Sequence, residues 1–136
     1  MLKDRCDAIE ECYEFMLAYA AQGLPGDGGS QSGGQLRHLL GRAVEALTGL
    51  APAYWAEVIN LDLKPREPYQ AYLAVLDRDA TDSLAAIQLV LAQPSLSSQL
   101  IDNLNASIHL RALLTDLFLI DEIFKLQSIA AQRLAT

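Results

Sequence analysis

Apolar residues recur along the chain at the three- and four-residue spacing that is typical of α-helices. The pattern is most regular at the start, where the intervals between apolar positions are 4, 3, 4, 3 and 4 residues (Leu2, Cys6, Ile9, Tyr13, Met16 and Ala20). No run shows the period of two that marks a half-buried strand. The pattern therefore predicts an all-α chain that opens with a helix over residues 2–22.

Proline and glycine divide the rest of the chain into further helices. They predict helices over residues 35–48, 52–60, 68–76 and 81–92, with a polar turn at 77–82. The segment from residue 95 to the C-terminus has neither proline nor glycine. It predicts either one long helix or two that meet near residues 103–105. The expected fold is a single-domain bundle of five or six helices with a long C-terminal helix.

The last segment carries the densest apolar surface. From Leu113 to Phe124, apolar residues cover most of the helix circumference, which is typical of a helix surrounded by other helices. We therefore expect the last helix at the centre and the first helix as the candidate to meet a partner. Because this apolar surface exceeds what one small bundle needs, we also expect self-association, most simply as a homodimer.

Residues 23–34 form the only low-complexity stretch, with glycine at six of its twelve positions. Within a single domain over residues 1–136, this composition predicts a flexible loop. A phosphate-binding loop is disfavoured because the stretch lacks the Gly-x-x-x-x-Gly-Lys-Ser/Thr spacing and no strand precedes it.

The composition narrows the choice of partners and location. The chain has 136 residues, 51% of them hydrophobic, and a net charge of −7. Acidic surfaces repel phosphates, so we expect neither a nucleic-acid nor a membrane partner. No apolar run approaches the roughly 20 residues that cross a bilayer. Acids near the N-terminus interrupt any secretory signal, so the expected location is cytoplasmic.

Residues that could carry chemistry are few and scattered. Cys6 and Cys12 are six positions apart on a helix, too far for a disulfide, and the acids around them should raise a thiol pKa. Neither His38 nor His109 follows a glutamate by three residues, as a di-iron bundle requires. We therefore expect no metal and no cofactor, and we assign no catalytic residue.

Four residues remain as weak functional candidates. His109 lies in the most apolar segment and is expected at the edge of the core with a hydrogen bond, whereas His38 is expected to be more exposed. A phosphotransfer histidine would have to be exposed. Glu11 and Glu14 share one face of the first helix. This face is interpreted either as a solvated acidic surface or as part of a site assembled across a dimer.

Aromatic residues flank the two-proline break at residues 64–68. Tryptophan, tyrosine and arginine are the residues that most often anchor protein interfaces. The partner-binding candidates are therefore Tyr54, Trp55, Tyr69, Tyr72 and Arg66. The alternative is that the aromatic residues close one end of the bundle.

Three functional classes follow from these patterns. The leading class is a non-catalytic interaction protein, an adaptor, accessory or assembly factor, because no catalytic groups converge. The second is a regulatory domain that binds a small ligand or cofactor, whose mark would be an apolar cavity between the long helix and the helix at 69–76. The third is an enzyme whose site is shared across a dimer. Whether the chain is an enzyme stays open, with a lean toward a non-catalytic role.

Overall fold

The computed structural model describes the backbone of residues 2–135 and the side chains of residues 2–134. Its six helices confirm the all-α prediction, and no strand is found within this range. The helices are α1 (Leu2–Ala21), α2 (Gln31–Leu47), α3 (Leu50–Asn60), α4 (Arg66–Leu91), α5 (Ser98–Ala106) and α6 (His109–Ala135).

Helix α1 lies at the centre of the bundle. It packs against α2, α3, α5 and α6, and its apolar positions Ile9, Cys12, Met16 and Tyr19 are fully buried. The regular apolar pattern of α1 is therefore used within the core. The expectation that the apolar seam of this helix is left for a partner is wrong, because other helices of the same chain cover the seam, and a regular pattern indicates one buried face without indicating what buries it.

Helix α4 runs without interruption through residues 77–82, where a turn was predicted. The buried positions Leu76, Ala80 and Ile87 are four and seven residues apart, so the apolar face continues across the polar stretch. The polar side chains occupy the outer faces of the same helix. The two predicted helices at 68–76 and 81–92 are thus one helix, which packs against α2, α3 and α6.

The C-terminal segment forms two helices, as one of the two alternatives predicted. The break is at Ser107 and Ile108, two residues beyond the expected position. Ile108 adopts a left-handed backbone conformation with φ of 64°, and the Ser107 hydroxyl donates to the Leu104 carbonyl at 2.5 Å. These features turn the chain between α5 and α6.

Only the first half of α6 belongs to the core. Leu113, Leu117 and Ile120 are buried, whereas every side chain from Lys125 to Leu134 is exposed. The expectation that the last helix is central is therefore wrong, because its second half has no neighbours to cover its apolar circumference. Although α6 is rich in leucine, neither it nor any other helix of residues 2–135 is long and apolar enough to cross a bilayer.

The loop between α1 and α2 is shorter than the predicted 23–34 stretch. Helix α2 begins at Gln31, where Ser30 is the N-cap and its hydroxyl accepts a hydrogen bond from the Gly33 amide at 2.9 Å. The last four residues assigned to the loop, 31–34, are therefore helical.

Side-chain hydrogen bonds tie this loop to the linker between α4 and α5. The Asp27 carboxylate accepts from the Arg37 guanidinium and from the Leu96 amide at 2.7 Å. Arg37 also donates to the carbonyls of Leu91 at 3.3 Å and Gln93 at 3.0 Å. One carboxylate and one guanidinium thus join three segments that are distant in sequence.

A second group of buried hydrogen bonds strengthens the same junction. The Tyr19 hydroxyl donates to the Leu96 carbonyl at 2.6 Å, and the Ser98 hydroxyl donates to the Tyr19 carbonyl at 2.6 Å. The Leu24 amide donates to the Ser98 hydroxyl at 2.8 Å. We refer to Asp27, Arg37, Tyr19, Leu96 and Ser98 as the clasp. It anchors a glycine-rich loop that composition alone assigns to a flexible segment.

Candidate functional site

The four aromatic partner-binding candidates lie in three different places. Tyr54 is fully buried, so its ring belongs to the core and is not a surface anchor. Trp55 is half-buried and lines a depression of about 320 Å³ between α3 and α4. Tyr69 and Tyr72 line a separate groove between α4 and α6. The structure therefore does not gather them into one patch.

Arg66, the fifth candidate, is occupied within its own loop. Its guanidinium donates to the Asp62 carboxylate at 2.8 Å and to the Leu63 carbonyl at 3.3 Å. Asp62 has a positive φ of 52°. The arginine thus holds the turn that joins α3 to α4.

Tyr54 joins α1, α3 and α6 through a small buried network. Its hydroxyl donates to Oδ1 of Asp121, at the exposed edge of the network, at 2.7 Å and lies 3.1 Å from Cys6 Sγ. Its ring packs against Phe124 with the centroids 5.7 Å apart. Burial raises the pKa of Tyr54 above its usual range. The phenol therefore keeps its proton and donates a hydrogen bond to the Asp121 carboxylate.

Neither cysteine has the character of a nucleophile. Burial raises the pKa of Cys6 to about 11, with the charges of Asp121 and Glu10 adding to the effect. Burial raises the pKa of Cys12 to about 12. Nearby acids raise the thiol pKa as predicted, although burial is the larger cause. Both thiols therefore stay protonated near neutral pH, where a thiolate would be needed for attack.

A cleft of about 940 Å³ opens above this network, between the first turns of α1, the length of α3 and the middle of α6. Its apolar wall is formed by Leu2, Ala53, Ala56, Leu61 and Phe124. We call it the α1–α3 cleft. No local sequence pattern predicts this cleft, because its three sides come from positions more than 40 residues apart.

A further concave feature lies between the start of α4 and α6, and we call it the α4–α6 groove. It has a volume of about 410 Å³ and is lined by Pro68, Tyr69, Tyr72, Leu119 and Ile123, among others. This is the location at which the small-ligand alternative requires an apolar cavity.

An exposed apolar stripe continues from this groove along α6. Its members are spaced at intervals of 4, 3, 4 and 4 residues, which places them on one helix face: Leu119, Ile123, Leu126, Ala130 and Leu134. Leu119 is 50%, Leu126 55% and Leu134 90% exposed. We call this stripe the α6 face. It is the surface that lacks a covering element in the monomer.

Asp116 is buried beneath the groove, where sequence analysis assigned no function. Tyr72 Oη lies 3.3 Å from its Oδ1, and its Oδ2 is buried without a hydrogen-bond donor in the described structure. Burial and the neighbouring Asp79 carboxyl raise the pKa of Asp116 to about 7. The sequence signal for a buried carboxyl is the position of Asp116 within the apolar run at residues 113–124.

Replacing Asp116 with asparagine is expected to stabilise the fold above neutral pH. An aspartate in the unfolded chain titrates near ~3.9, so the folded protein binds the extra proton between about pH 4 and 7. Its stabilising effect is complete below that window and is lost as pH rises through it. At pH 8 we expect the free energy of unfolding of D116N to exceed that of wild type by about 1–2 kcal/mol. Denaturant unfolding at several pH values measures the difference. Exposed Asp102→Asn is the control, and an equal gain there would contradict the assignment.

The weak candidates are dispersed over the surface. His109 is exposed, and the prediction of a core-edge position is wrong because α6 begins at this residue, immediately after the turn at Ile108. His38 is exposed, as expected. Glu11 pairs with Arg42 at 3.3 Å, and Glu14 is exposed. No group of three or more histidine, cysteine, aspartate or glutamate side chains within residues 2–135 is placed to hold a metal ion.

No known protein family, curated protein or solved structure matches this chain. The fold defines an all-α protein. Its described surface includes the α1–α3 cleft and the α6 face with its adjoining groove, and a helical bundle by itself indicates no particular function.

Proposed function

We propose that this chain is a non-catalytic interaction protein of the adaptor or assembly-factor class and that it acts as a homodimer through the α6 face. The apolar stripe of that face carries the proposal. Contiguous exposed apolar surface typically marks a site of protein contact. Here it joins the α4–α6 groove, so the two form one continuous surface.

The second half of α6 has little to support it within one copy. Residues 125–134 are helical, yet all their side chains are exposed. Helical segments shorter than about 12–15 residues are marginal in water without tertiary packing. A covering element would therefore both bury the apolar stripe and stabilise this end of the helix.

The stripe itself favours a second copy of the same chain as that element. Its members follow one face of α6 from Leu119 to Leu134, over about four turns. In an antiparallel pair with a twofold axis near Leu126, each copy would bury the same apolar residues of the other. Such a contact is self-complementary, as a twofold interface requires.

Leu126 lies on the α6 face, and Ile129, which is 38% exposed, lies one turn further along beside it. The double substitution Leu126→Glu and Ile129→Glu is expected to weaken dimerisation at least about 100-fold, because burying an unpaired carboxylate costs several kcal/mol. Sedimentation velocity over a range of micromolar concentrations measures the effect. Leu89→Glu is the matched control, since Leu89 is 67% exposed on α4 and lies outside the α6 face. Circular dichroism checks that each variant is folded.

A monomeric wild-type protein at high micromolar concentration, or equal weakening by Leu89→Glu, would contradict the dimer.

A second candidate function is then favoured by the α4–α6 groove, whose volume of about 410 Å³ lies in the range of small-ligand sites. A monomer that is thermally stabilised by a nonpolar probe, with the effect lost on filling the groove by Ile123→Trp, would support that regulatory ligand-binding role.

A further inference from the structure

The shape of the α1–α3 cleft is that of an open groove. Its lining extends from Leu2 to Glu10 on α1 and from Ala53 on α3 to Leu61, the residue that follows this helix. Each stretch covers nine residues, or about 12 Å along a helix axis. A lining that follows two helices for about two turns each suits an extended partner element better than a compact ligand.

The walls of the cleft combine small and large apolar groups. Ala53 and Ala56 leave room beside α3, while Leu2, Leu61 and Phe124 offer larger apolar surfaces. Small residues along one wall allow another helix to approach closely. An amphipathic helix that docks in such a groove inserts apolar side chains at positions i, i+3, i+4 and i+7.

The charges of the cleft are unbalanced. Its two basic residues are already engaged: Lys3 pairs with Asp7 at 2.9 Å, and Arg5 donates to the carbonyls that end α2, Ala46 at 3.0 Å and Thr48 at 2.8 Å. Among the described residues, the cleft therefore has no uncommitted cation of its own.

Three further carboxylates line the cleft, and none has an ion pair within the described structure. Glu10 and Glu57 are half-buried, and Asp121 accepts neutral hydrogen bonds from the Tyr54 hydroxyl at 2.7 Å and from the Cys6 thiol at 3.8 Å. Burial, with the charges of Asp7 and Asp121, raises the pKa of Glu10. Mutual repulsion among these acids would be relieved by cations supplied from outside.

We infer that the α1–α3 cleft is a docking groove for a basic amphipathic helix of a partner protein. Apolar side chains of that helix would fill the space beside Ala53 and Ala56, and flanking lysine or arginine residues would pair with Glu10, Glu57 and Asp121. The inference extends the proposed interaction role but does not depend on the dimer. Asp121 and Phe124 lie on the side of α6 away from Leu126, so both surfaces could be occupied together.

The probe for the test is a fluorescein-labelled helical peptide of about 15 residues, with leucine at i, i+3, i+4 and i+7 and lysine on the flanking positions. The same peptide with glutamate replacing lysine is its partner probe. Fluorescence anisotropy with the full chain is expected to show saturable binding of the lysine peptide, weakened by salt, and none of the glutamate peptide.

Two variants locate the binding. Glu10→Gln with Glu57→Gln should weaken it about five- to tenfold, as expected for two charge pairs at a groove rim. Ala56→Trp should weaken it at least about tenfold by filling the groove while leaving the acids in place. The control is Glu45→Gln with Asp82→Asn, which removes two exposed acids elsewhere and should leave the affinity unchanged.

Several outcomes would overturn the inference: equal binding of the glutamate peptide, equal weakening by the control pair, or full affinity in Ala56→Trp. Tight binding of hexylamine that competes with the peptide would assign the cleft to small organic cations instead. Repeating the titration with the Leu126→Glu, Ile129→Glu protein separates the two proposals. Retained binding there supports a groove that works without the dimer, whereas loss of binding in the folded variant counts against it.

Discussion

Gly33→Ala is expected to lower the free energy of unfolding by about 1–3 kcal/mol or more, whereas Gly34→Ala, one residue along, is expected to be neutral or stabilising by up to about 1 kcal/mol. A Cβ at Gly33 would overlap three backbone atoms of Asp27: the carbonyl oxygen, the carbonyl carbon and Cα. A Cβ at Gly34 meets nothing within 4 Å. Both glycines lie in the first turn of α2, so the gain in intrinsic helix propensity is the same for the two substitutions.

The size of the Gly33 effect depends on whether the loop can move aside. Asp27 is held by Arg37 and by the Leu96 amide, so its backbone cannot withdraw without breaking the clasp. Denaturant unfolding followed by circular dichroism measures both variants. Gly41→Ala, also in α2 with open space around it, serves as a second control. Similar stabilities for the Gly33 and Gly34 variants would show that the loop yields and that the clasp does not fix it.

The same glycines show what composition can and cannot predict. Six glycines in twelve residues predict conformational freedom, and that inference is local. The need for glycine at position 33 arises instead from a close approach to Asp27. That approach is imposed by hydrogen bonds that span 54 to 69 positions of the chain. No local pattern contains this information.

Helix boundaries were predictable where the signal was local. The bounds of α1 differ from prediction by one residue, because its apolar period is regular and a glycine follows it. The continuity of α4 through residues 77–82 was not predictable from its polar residues, because aspartate and threonine serve equally as caps and as exposed helix positions. Packing of Leu76 and Ala80 against neighbouring helices decides between the two.

Helix placement and the surfaces were harder to predict than the fold class. The apolar density of α6 predicts a buried helix, yet this density only measures how much surface needs covering. The structure covers the first half of α6 and leaves Leu126 and Leu134 exposed. The aromatic candidates were selected by residue type, which indicates suitability for an interface but not exposure. Tyr54 satisfies the type and is fully buried.

Asp27→Ala is expected to cost about 2–4 kcal/mol of stability at neutral pH. The substitution leaves the Leu96 amide without its acceptor and the Arg37 guanidinium without its charge partner. The Asp27 side chain is only 10% exposed, but that of Arg37 is 34% exposed, so we place the cost below that of breaking a fully buried pair. Arg37→Lys should retain little of the stabilisation that these contacts provide, because one ammonium cannot reproduce the forked contacts to Asp27, Leu91 and Gln93.

The pH dependence gives this prediction a distinctive sign. The Arg37 guanidinium is the main cause that holds the pKa of Asp27 below its ordinary value. The contribution of Asp27 is therefore present above the unfolded pKa of about 3.9 and is lost as pH falls through the lower folded value. The gap between wild type and Asp27→Ala should narrow as pH falls below about 4. Asp7→Ala is the control, because it breaks the exposed Lys3–Asp7 pair and should cost no more than about 1 kcal/mol. A loss of the same size in both variants would mean that the clasp contributes no more than a surface ion pair, and the fixed position of the loop beside Gly33 would then need another cause.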